Sequence, residues 1–211
     1  MIGPGFGTED PTRDFLTDLL KGKDFPKKTT GRIGFVKEEA EGADDNGTAS
    51  LPPLVIDADG LRLLAQIDDW HNLLSTPAVL TPHPGEMSAL TGMPVSEIQA
   101  DRLSVARSYA KEWQQVVVLK GAFTVIASPD GKTTTIPVAS PALARAGTGD
   151  VLAGLIVGMR AQGLEAYEAA VAGAWIHAQA GLLAAEAYGS TASILAGDVL
   201  EAIPDVMAEL E

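Results

Sequence analysis

The amino-acid sequence predicts a three-layer α/β/α domain, with a mostly parallel sheet between two layers of helices and an antiparallel hairpin at one edge of the sheet. Short apolar runs alternate with helical patterns in the order β-α-β-α-β, which is typical of parallel strands joined by crossover helices. Two later β-rich segments flank the turn sequence SPDG, which favours a hairpin. The 211 residues suit one such domain, so we predict a single domain over 1–211.

The first quarter of the chain combines one helix with a long polar segment. Asp10 followed by Pro11 is typical of a helix start, with the aspartate as the capping residue. One apolar face of this helix contains Phe15, Leu16, Leu19 and Leu20. From about 21 to 53 the sequence is charged and rich in glycine, so we interpret it as an inserted surface loop with a small hairpin at 32–37.

Three buried strands and their helices follow. The runs LVIDADG and AVLTPHPGE each predict a strand that ends in polar residues. The first leads into a helix from Leu61 to about Ile67, and the second into a helix that ends at Gly92. The next helix has apolar residues at helical spacing, namely Leu103, Ala106, Ala110 and Trp113. The run Val116 to Leu119 predicts a fully buried strand, and the hairpin strands are predicted at Thr124 to Ala127 and Lys132 to Ile136.

The last third of the chain is helical and rich in small residues. Val151 to Met159 is apolar on nearly every side, which predicts a helix buried on several faces. Gly173 and Gly181 lie eight residues apart in the next helix and allow close packing of its backbone. His177 lies in the same helix, and we interpret it as a structural histidine whose hydrogen bonds are satisfied.

Composition excludes several classes of function. Acidic residues outnumber basic ones by 28 to 15, and the resulting charge of -13 argues against nucleic acid as a partner. The absence of cysteine excludes disulfides, thiolate metal sites and cysteine nucleophiles. The first residues form neither a basic nor an apolar region of a secretory signal, so we predict a cytoplasmic protein. The apolar stretches are too short to span a bilayer, so no membrane association is predicted.

The loops that follow the predicted strands carry the candidate chemistry, because ligands of open α/β sheets lie beyond the carboxyl ends of the strands. In the segment ARAGTGDVLAG, Gly147, Thr148 and Gly149 can place consecutive amides around an anion at the positive end of a helix. Asp150 is then a candidate base for a hydroxyl that attacks phosphorus. The alternative is that this aspartate is a simple helix cap.

GTGDVLAG, together with TPHPGE, VIDADGL, VVLKGAFT and GPGFG, resembles the ADP- or ATP-dependent NAD(P)H-hydrate dehydratases of the ribokinase-like superfamily. The resemblance runs from Ile2 to about Pro204, interrupted by the polar loop at 21–53. It implies a ribokinase-like fold, ADP or ATP with Mg²⁺ as cofactors, and hydrated NADH and NADPH as substrates. It also implies a homo-oligomer, a tetramer by family resemblance, and a domain that is N-terminally short, since the family has further β-α units before its GPGFG loop.

The resemblance assigns roles to individual positions. Asp150 acts on the hydroxyl of the hydrated nicotinamide ring, and Gly7 and His83 contact the hydrated dinucleotide. The nucleotide-binding positions are Lys120, Gly121, Ala122, Phe123, Thr124, Gly147, Thr148 and Gly149. Asp57 and Glu86 are candidates for a supporting role or for Mg²⁺.

Other interpretations stay open for these residues. Lys120 is alternatively a surface lysine, His83 an exposed loop histidine, and Asp57 and Asp59 the polar end of a strand. Two other functions are also open: a small-metabolite kinase of the same superfamily, and a non-catalytic nucleotide-binding remnant. His83 favours the dehydratases, since kinases of this superfamily commonly carry a different residue in that loop.

Overall fold

A computed structural model of the protein describes residues 1–22, 51–74 and 77–210. Most of the polar loop predicted at 21–53, including the hairpin predicted at 32–37, lies outside the described residues. The rest of the chain confirms the predicted three-layer α/β arrangement.

The sheet places its strands in chain order, each beside the next. The strands are β1 (Val55–Ile56), β2 (Val79–Leu80), β3 (Val116–Leu119), β4 (Val125–Ala127) and β5 (Thr133–Thr135). The first three are parallel, and β4 and β5 continue the sheet as an antiparallel hairpin. Ile2 adds a parallel bridge to Ile56 on the outer side of β1. The hairpin thus forms one edge of the sheet, as predicted.

Strand β3 shows why these runs are apolar throughout. Val116 and Val118 point into the core on one face of the sheet, while Val117 and Leu119 point into the core on the other. All four are buried because helices cover both faces. The β3 bounds are those that the sequence predicts.

One helical layer covers the face of the sheet that carries Ile56 and Leu80. Its helices are α1 (Asp10–Leu20), α2 (Asp59–Leu64), α3 (Pro84–Thr91), α4 (Val95–Ala100) and α5 (Arg102–Trp113). Between α2 and β2, a short 3-10 helix buries Trp70 against Trp113, with ring centroids 5.0 Å apart. Gly92 ends α3 in the left-handed conformation, as predicted.

Two predicted helix details are wrong. The cap of α1 is Glu9, and Asp10 is the first helical residue; Phe15 on this helix is 45 % exposed, while Leu16 is buried. Helix α2 begins two residues before the predicted Leu61 and ends three residues before Ile67.

The other layer consists of α6 (Thr148–Ala161), α7 (Ala166–Tyr188), α8 (Ala196–Glu201) and α9 (Ile203–Ala208). Helices α6 and α7 pack closely, because a Cβ at Gly173 would lie 2.8 Å from Cγ1 of Ile156. A Cβ at Gly181 would lie even closer to the side chain of Leu143, so both glycines allow close packing, as predicted. Among the helices of the described residues, none is long and apolar enough to cross a membrane.

Candidate active site

A buried ion pair joins the ends of two strands. Lys120 directly follows β3 and Asp57 directly follows β1, and Lys120 Nζ lies 2.6 Å from Asp57 Oδ1. The same ammonium lies 3.7 Å from Oε2 of Glu86. The side chains of Lys120 and Asp57 are 17 % and 1 % exposed. The surface-lysine interpretation is therefore wrong, and Asp57 does more than end a strand.

His83 caps helix α3. Its Nδ1 accepts hydrogen bonds from the backbone amides of Gly85 and Glu86, at 2.9 and 3.2 Å. Glu86 Oε2 in turn accepts a hydrogen bond from the backbone amide of His83 at 2.8 Å, which completes a capping box. Because Nδ1 accepts, the ring proton is on Nε2, which lies 3.3 Å from Glu86 Oε1. His83 thus stabilises the start of α3, and its side chain is 47 % exposed.

The loop after β3 passes tightly over an arginine that sequence reasoning missed. Arg102 starts α5, and its Nη2 donates a hydrogen bond to the carbonyl oxygen of Leu119 at 2.7 Å. Gly121 has a φ of +144°, and a Cβ there would lie 2.8 Å from Arg102 Nη1. Since Arg102 is 17 residues from its partner along the chain, no local pattern reveals this contact.

Two further residues shape the same loop. Thr124 Oγ1 donates a hydrogen bond to the carbonyl oxygen of Gly121 at 2.9 Å. Phe123 has a φ of 55°, which is unusual for a residue with a bulky side chain, and it is 54 % exposed. The loop therefore holds a strained backbone beside Lys120.

The first turn of α6 faces the ion pair. Gly147 caps the helix with a φ of 88°. Thr148 is buried, and its hydroxyl lies 2.8 Å from the carbonyl oxygens of Leu143 and Arg145. A Cβ at Gly149 would lie only 3.5 Å from Lys120 Nζ. The positive end of a 14-residue helix and an ammonium group thus converge, as expected of an anion site.

A cavity of about 880 Å³ lies between the loop at 120–124, which we call the lysine loop, and the first turn of α6. Of the predicted nucleotide-binding residues, it is lined by Lys120, Gly121, Ala122, Thr124, Thr148 and Gly149. Phe123 and Gly147 do not line it, although His83 does. The lining also includes the cation Arg145 and a set of apolar side chains, namely Ile136, Val138, Leu143, Leu152, Ala174 and Ala178. The volume and the mixture of apolar wall and few polar groups suit a ligand of nucleotide size.

The structure separates two predicted substrate residues from this cavity. Asp150 is exposed and lines a shallow groove of about 600 Å³, together with Leu200 and Ile203. Gly7 lies at the end of β1, where its amide donates a hydrogen bond to Asp59 Oδ2 at 3.0 Å. Gly149 lines the large cavity, and the next residue, Asp150, lines the shallow groove. The cavity and the groove therefore lie on different sides of the first turn of α6.

The acidic residues do not form a metal site by themselves. In residues 1–22, 51–74 and 77–210, no group of three or more His, Cys, Asp or Glu side chains could hold a metal ion. Oε2 of Glu86 accepts a hydrogen bond from the His83 amide, and Oδ1 of Asp57 is paired with Lys120. A role of Asp57 or Glu86 toward Mg²⁺ stays a prediction, and Mg²⁺ at this place would depend largely on phosphate oxygens.

His177 differs from its predicted role in one respect. It is buried in α7, 8 % exposed, as a structural histidine would be. Its Nε2, however, has no hydrogen-bond partner among the described residues, so the prediction that its hydrogen bonds are satisfied is wrong. Burial lowers the pKa of the imidazole to about 4, and the ring is neutral near pH 7.

Comparison with known proteins places these features in one family. A family model described as NAD(P)H-hydrate dehydratase matches residues 34–205. A bifunctional NAD(P)H-hydrate repair enzyme from Moorella thermoacetica is 49 % identical over 100 % of this chain and 34 % of its own length. The chain spans about a third of the length of the first curated relatives that it matches.

Solved structures agree with this match. The ADP/ATP-dependent NAD(P)H-hydrate dehydratase from Bacillus subtilis, co-crystallised with ATP and Mg²⁺, superposes with a TM-score of 0.73 at 30 % identity, covering 100 % of this chain and 65 % of that chain. A ribokinase-like superfamily protein from Enterococcus faecalis, at 23 % identity and a TM-score of 0.72 over 99 % of this chain and 62 % of its own, shares the fold. The chain belongs to the NAD(P)H-hydrate dehydratase family and has its ribokinase-like fold.

Proposed function

We propose that this chain catalyses the dehydration of hydrated NADH and NADPH, with ADP or ATP as the phosphate donor, and so restores the dihydronicotinamide ring. One observation carries the proposal beyond family membership. The lysine loop and the first turn of α6 line the same cavity, with Lys120 Nζ beside Gly149. An ammonium group and helix amides that converge on a largely apolar cavity are suited to the phosphates and base of a nucleotide.

Lys120 and the first amides of α6 hold the nucleotide phosphates in this proposal. Asp57 fixes the direction of the Lys120 ammonium through the 2.6 Å contact, so the charge is in place before the nucleotide binds. Charge fixed in advance stabilises the transferring phosphoryl group more effectively than charge that must reorient. Mg²⁺, when bound with the nucleotide, would further neutralise the charge of the phosphates.

Asp150 acts on the hydroxyl of the hydrated ring. The hydroxyl oxygen attacks the terminal phosphorus of the nucleotide, its proton moves to Asp150, and the shortened nucleotide leaves. Phosphate is a far better leaving group than hydroxide, so the carbon–oxygen bond then breaks with electron donation from the adjacent ring nitrogen. Loss of a proton from the neighbouring ring carbon forms the double bond of the dihydronicotinamide.

In this proposal the hydrated dinucleotide contacts Asp150, Gly7 and His83, the residues that the family resemblance assigns to it; of these, His83 also lines the proposed nucleotide cavity. The proton on His83 Nε2 provides a donor, since Nδ1 is already used in capping α3. We also propose a homotetramer, on the basis of family resemblance, and a cytoplasmic location. Light scattering after gel filtration tests the tetramer.

A direct assay tests the proposed activity. The protein is incubated with hydrated NADH, Mg²⁺ and ADP or ATP, and the absorbance of the dihydronicotinamide is followed. We expect recovery with wild type, severe loss with Asp150→Asn, and retained activity with the matched control Asp205→Asn, which lies in the first turn of α9. A family member serves as the positive control, and no recovery alongside an active control would contradict the proposal. A stable phosphorylated product would instead indicate a kinase.

A further inference from the structure

The charges around the large cavity differ in sign from those of the chain as a whole. Lys120 and Arg145 line the cavity, and in the part of the chain that the structure describes its lining includes no aspartate or glutamate. The whole chain carries 28 acidic and 15 basic residues, for a net charge of -13. The overall charge therefore repels an approaching anion, so anion binding depends on positive charge at the site itself.

The two cations differ in how their charge is balanced. The ammonium of Lys120 lies 2.6 Å from Asp57 and 3.7 Å from Glu86, whose side chains are 1 % and 5 % exposed. Two buried carboxylates thus balance this ammonium before any ligand binds. Within residues 1–22, 51–74 and 77–210, no carboxylate lies within ion-pair distance of Arg145. Among the described residues, Arg145 therefore gives the cavity a positive charge that no carboxylate balances.

The backbone of Arg145 is fixed to the first turn of α6. Its carbonyl oxygen accepts hydrogen bonds from the amide and from the hydroxyl of Thr148, at 3.2 and 2.8 Å. Gly147, which caps the helix, follows two residues later. The side chain of Arg145 therefore begins beside the helix end that belongs to the proposed phosphate site.

The guanidinium of Arg145 has donors to spare. Its Nη2 donates a hydrogen bond to the carbonyl oxygen of Ala192, at 2.7 Å, in the segment between α7 and α8. This contact restrains the guanidinium without neutralising it, because the acceptor is uncharged. An arginine has five N–H donors, and Arg145 is exposed, so the remaining donors are open to a ligand in the cavity. Paired N–H groups of this kind match the oxygens of a phosphate.

We propose that Arg145 is a phosphate-recognition residue, whose guanidinium binds the phosphate chain of ADP or ATP. This inference rests on the proposed nucleotide function of the cavity. Lys120 offers the phosphates a donor in a direction that Asp57 fixes, and Arg145 supplies the positive charge that is not yet balanced. The cavity then selects a charged nucleotide over an uncharged nucleoside. The family resemblance assigns no role to this arginine.

Three substitutions test the contribution of this charge. Arg145→Gln removes the charge, and Arg145→Lys keeps the charge but loses the paired donors. Arg107→Gln is the matched control, because Arg107 is an exposed arginine of α5 that does not line the cavity. Titration calorimetry measures the Kd of ADP, and thermal unfolding confirms that each variant is folded. We expect the Kd to rise about tenfold in Arg145→Gln and about threefold in Arg145→Lys, and to stay unchanged in Arg107→Gln.

Adenosine separates contact with the phosphates from support of the fold. Loss of the Ala192 contact could disturb the cavity wall, and this would weaken ADP and adenosine alike. Contact with the phosphates affects ADP alone, so we expect Arg145→Gln to leave the Kd of adenosine unchanged. Added salt should also weaken ADP binding less in Arg145→Gln than in wild type, because salt screens the charge that the variant lacks. Arg145→Lys permits the adenosine comparison if Arg145→Gln does not fold.

The outcomes distinguish this inference from the proposed function. Three results would each overturn the role of Arg145 without bearing on the activity: an unchanged Kd of ADP in folded Arg145→Gln, equal losses for ADP and adenosine, or the same salt dependence as wild type. ADP binding that depends on Arg145, without any dehydration of hydrated NADH, would contradict the proposed function alone. A wild-type chain that binds neither ADP nor ATP would overturn both.

Discussion

The ammonium of Lys120 lies 2.6 Å from a carboxylate oxygen of Asp57, although 63 residues separate them in the chain. The contact connects the ends of β3 and β1 across the intervening β2, and it fixes the ammonium beside Gly149 at the start of α6. Because Asp57 is almost completely buried, the pair serves the fold and the proposed phosphate site together.

The two roles of this ion pair can be separated by mutation. Lys120→Met leaves the buried carboxylate of Asp57 without its partner, and we expect the free energy of unfolding to fall by about 3 kcal/mol. Adding Asp57→Asn should recover most of this stability but none of the ADP affinity. Urea unfolding and titration calorimetry measure the two quantities. ADP binding by the double variant at the wild-type Kd would show that Lys120 does not hold the phosphates.

Substitutions at His83 should distinguish capping from substrate binding. Asn is a good cap, so His83→Asn should keep the stability of wild type, whereas His83→Ala should lower it by about 1 kcal/mol. Both variants lose the Nε2 donor, and we expect both to raise the KM for hydrated NADH by a similar factor. Denaturant unfolding and steady-state kinetics test this. A normal KM in His83→Asn would restrict His83 to its capping role.

We expect substitution of Gly121 to weaken ADP binding, and Gly131 provides a matched control. Gly121 and Gly131 both have positive φ, +144° and +91°, so alanine strains the backbone at each. A Cβ at Gly131 meets nothing within 4 Å, whereas one at Gly121 meets Arg102. Gly121→Ala should therefore weaken ADP binding at least several-fold, and Gly131→Ala should leave the Kd unchanged. Equal effects of the two substitutions would contradict the role of Arg102 beneath the loop.

Burial of His177 should make stability depend on pH. Its pKa is about 4 in the folded chain and near 6.5 when unfolded, so between these values the unfolded state binds a proton that the folded state does not. Stability is therefore full above pH 6.5 and falls as the pH decreases toward 4. For this group alone, the free energy of unfolding should fall by about 2 kcal/mol between pH 7 and pH 5. Urea unfolding at both values should show a flatter dependence for His177→Asn than for wild type; equal slopes would contradict the burial effect.

Structural features that depend on residues close together in the chain could be predicted from the sequence. The run at Val116–Leu119 has its observed bounds because both faces of β3 are covered, so that each residue is apolar. Gly92 ends α3 because its φ of 73° suits glycine. The glycine-rich segment at 147–149 likewise predicted the start of a helix, which is observed as α6, while the anion at that helix end stays a prediction.

Features that depend on distant parts of the chain could not be predicted. The partner of Lys120 becomes visible only with the strand order, and the contact of Arg102 only with the packing of α5 against the end of β3. His83 was expected to be either an exposed loop residue or a substrate contact, but its geometry also makes it the cap of α3. The unpaired Nε2 of His177 depends on how α7 meets α6, which no spacing of residues encodes.

A crystal structure of the chain with bound ADP tests the central claim most directly. The account predicts that phosphate oxygens lie within hydrogen-bond distance of the Gly149 amide and of Lys120 Nζ, with the nucleoside in the cavity against the apolar wall. ADP bound elsewhere, or with its phosphates directed away from the first turn of α6, would contradict it.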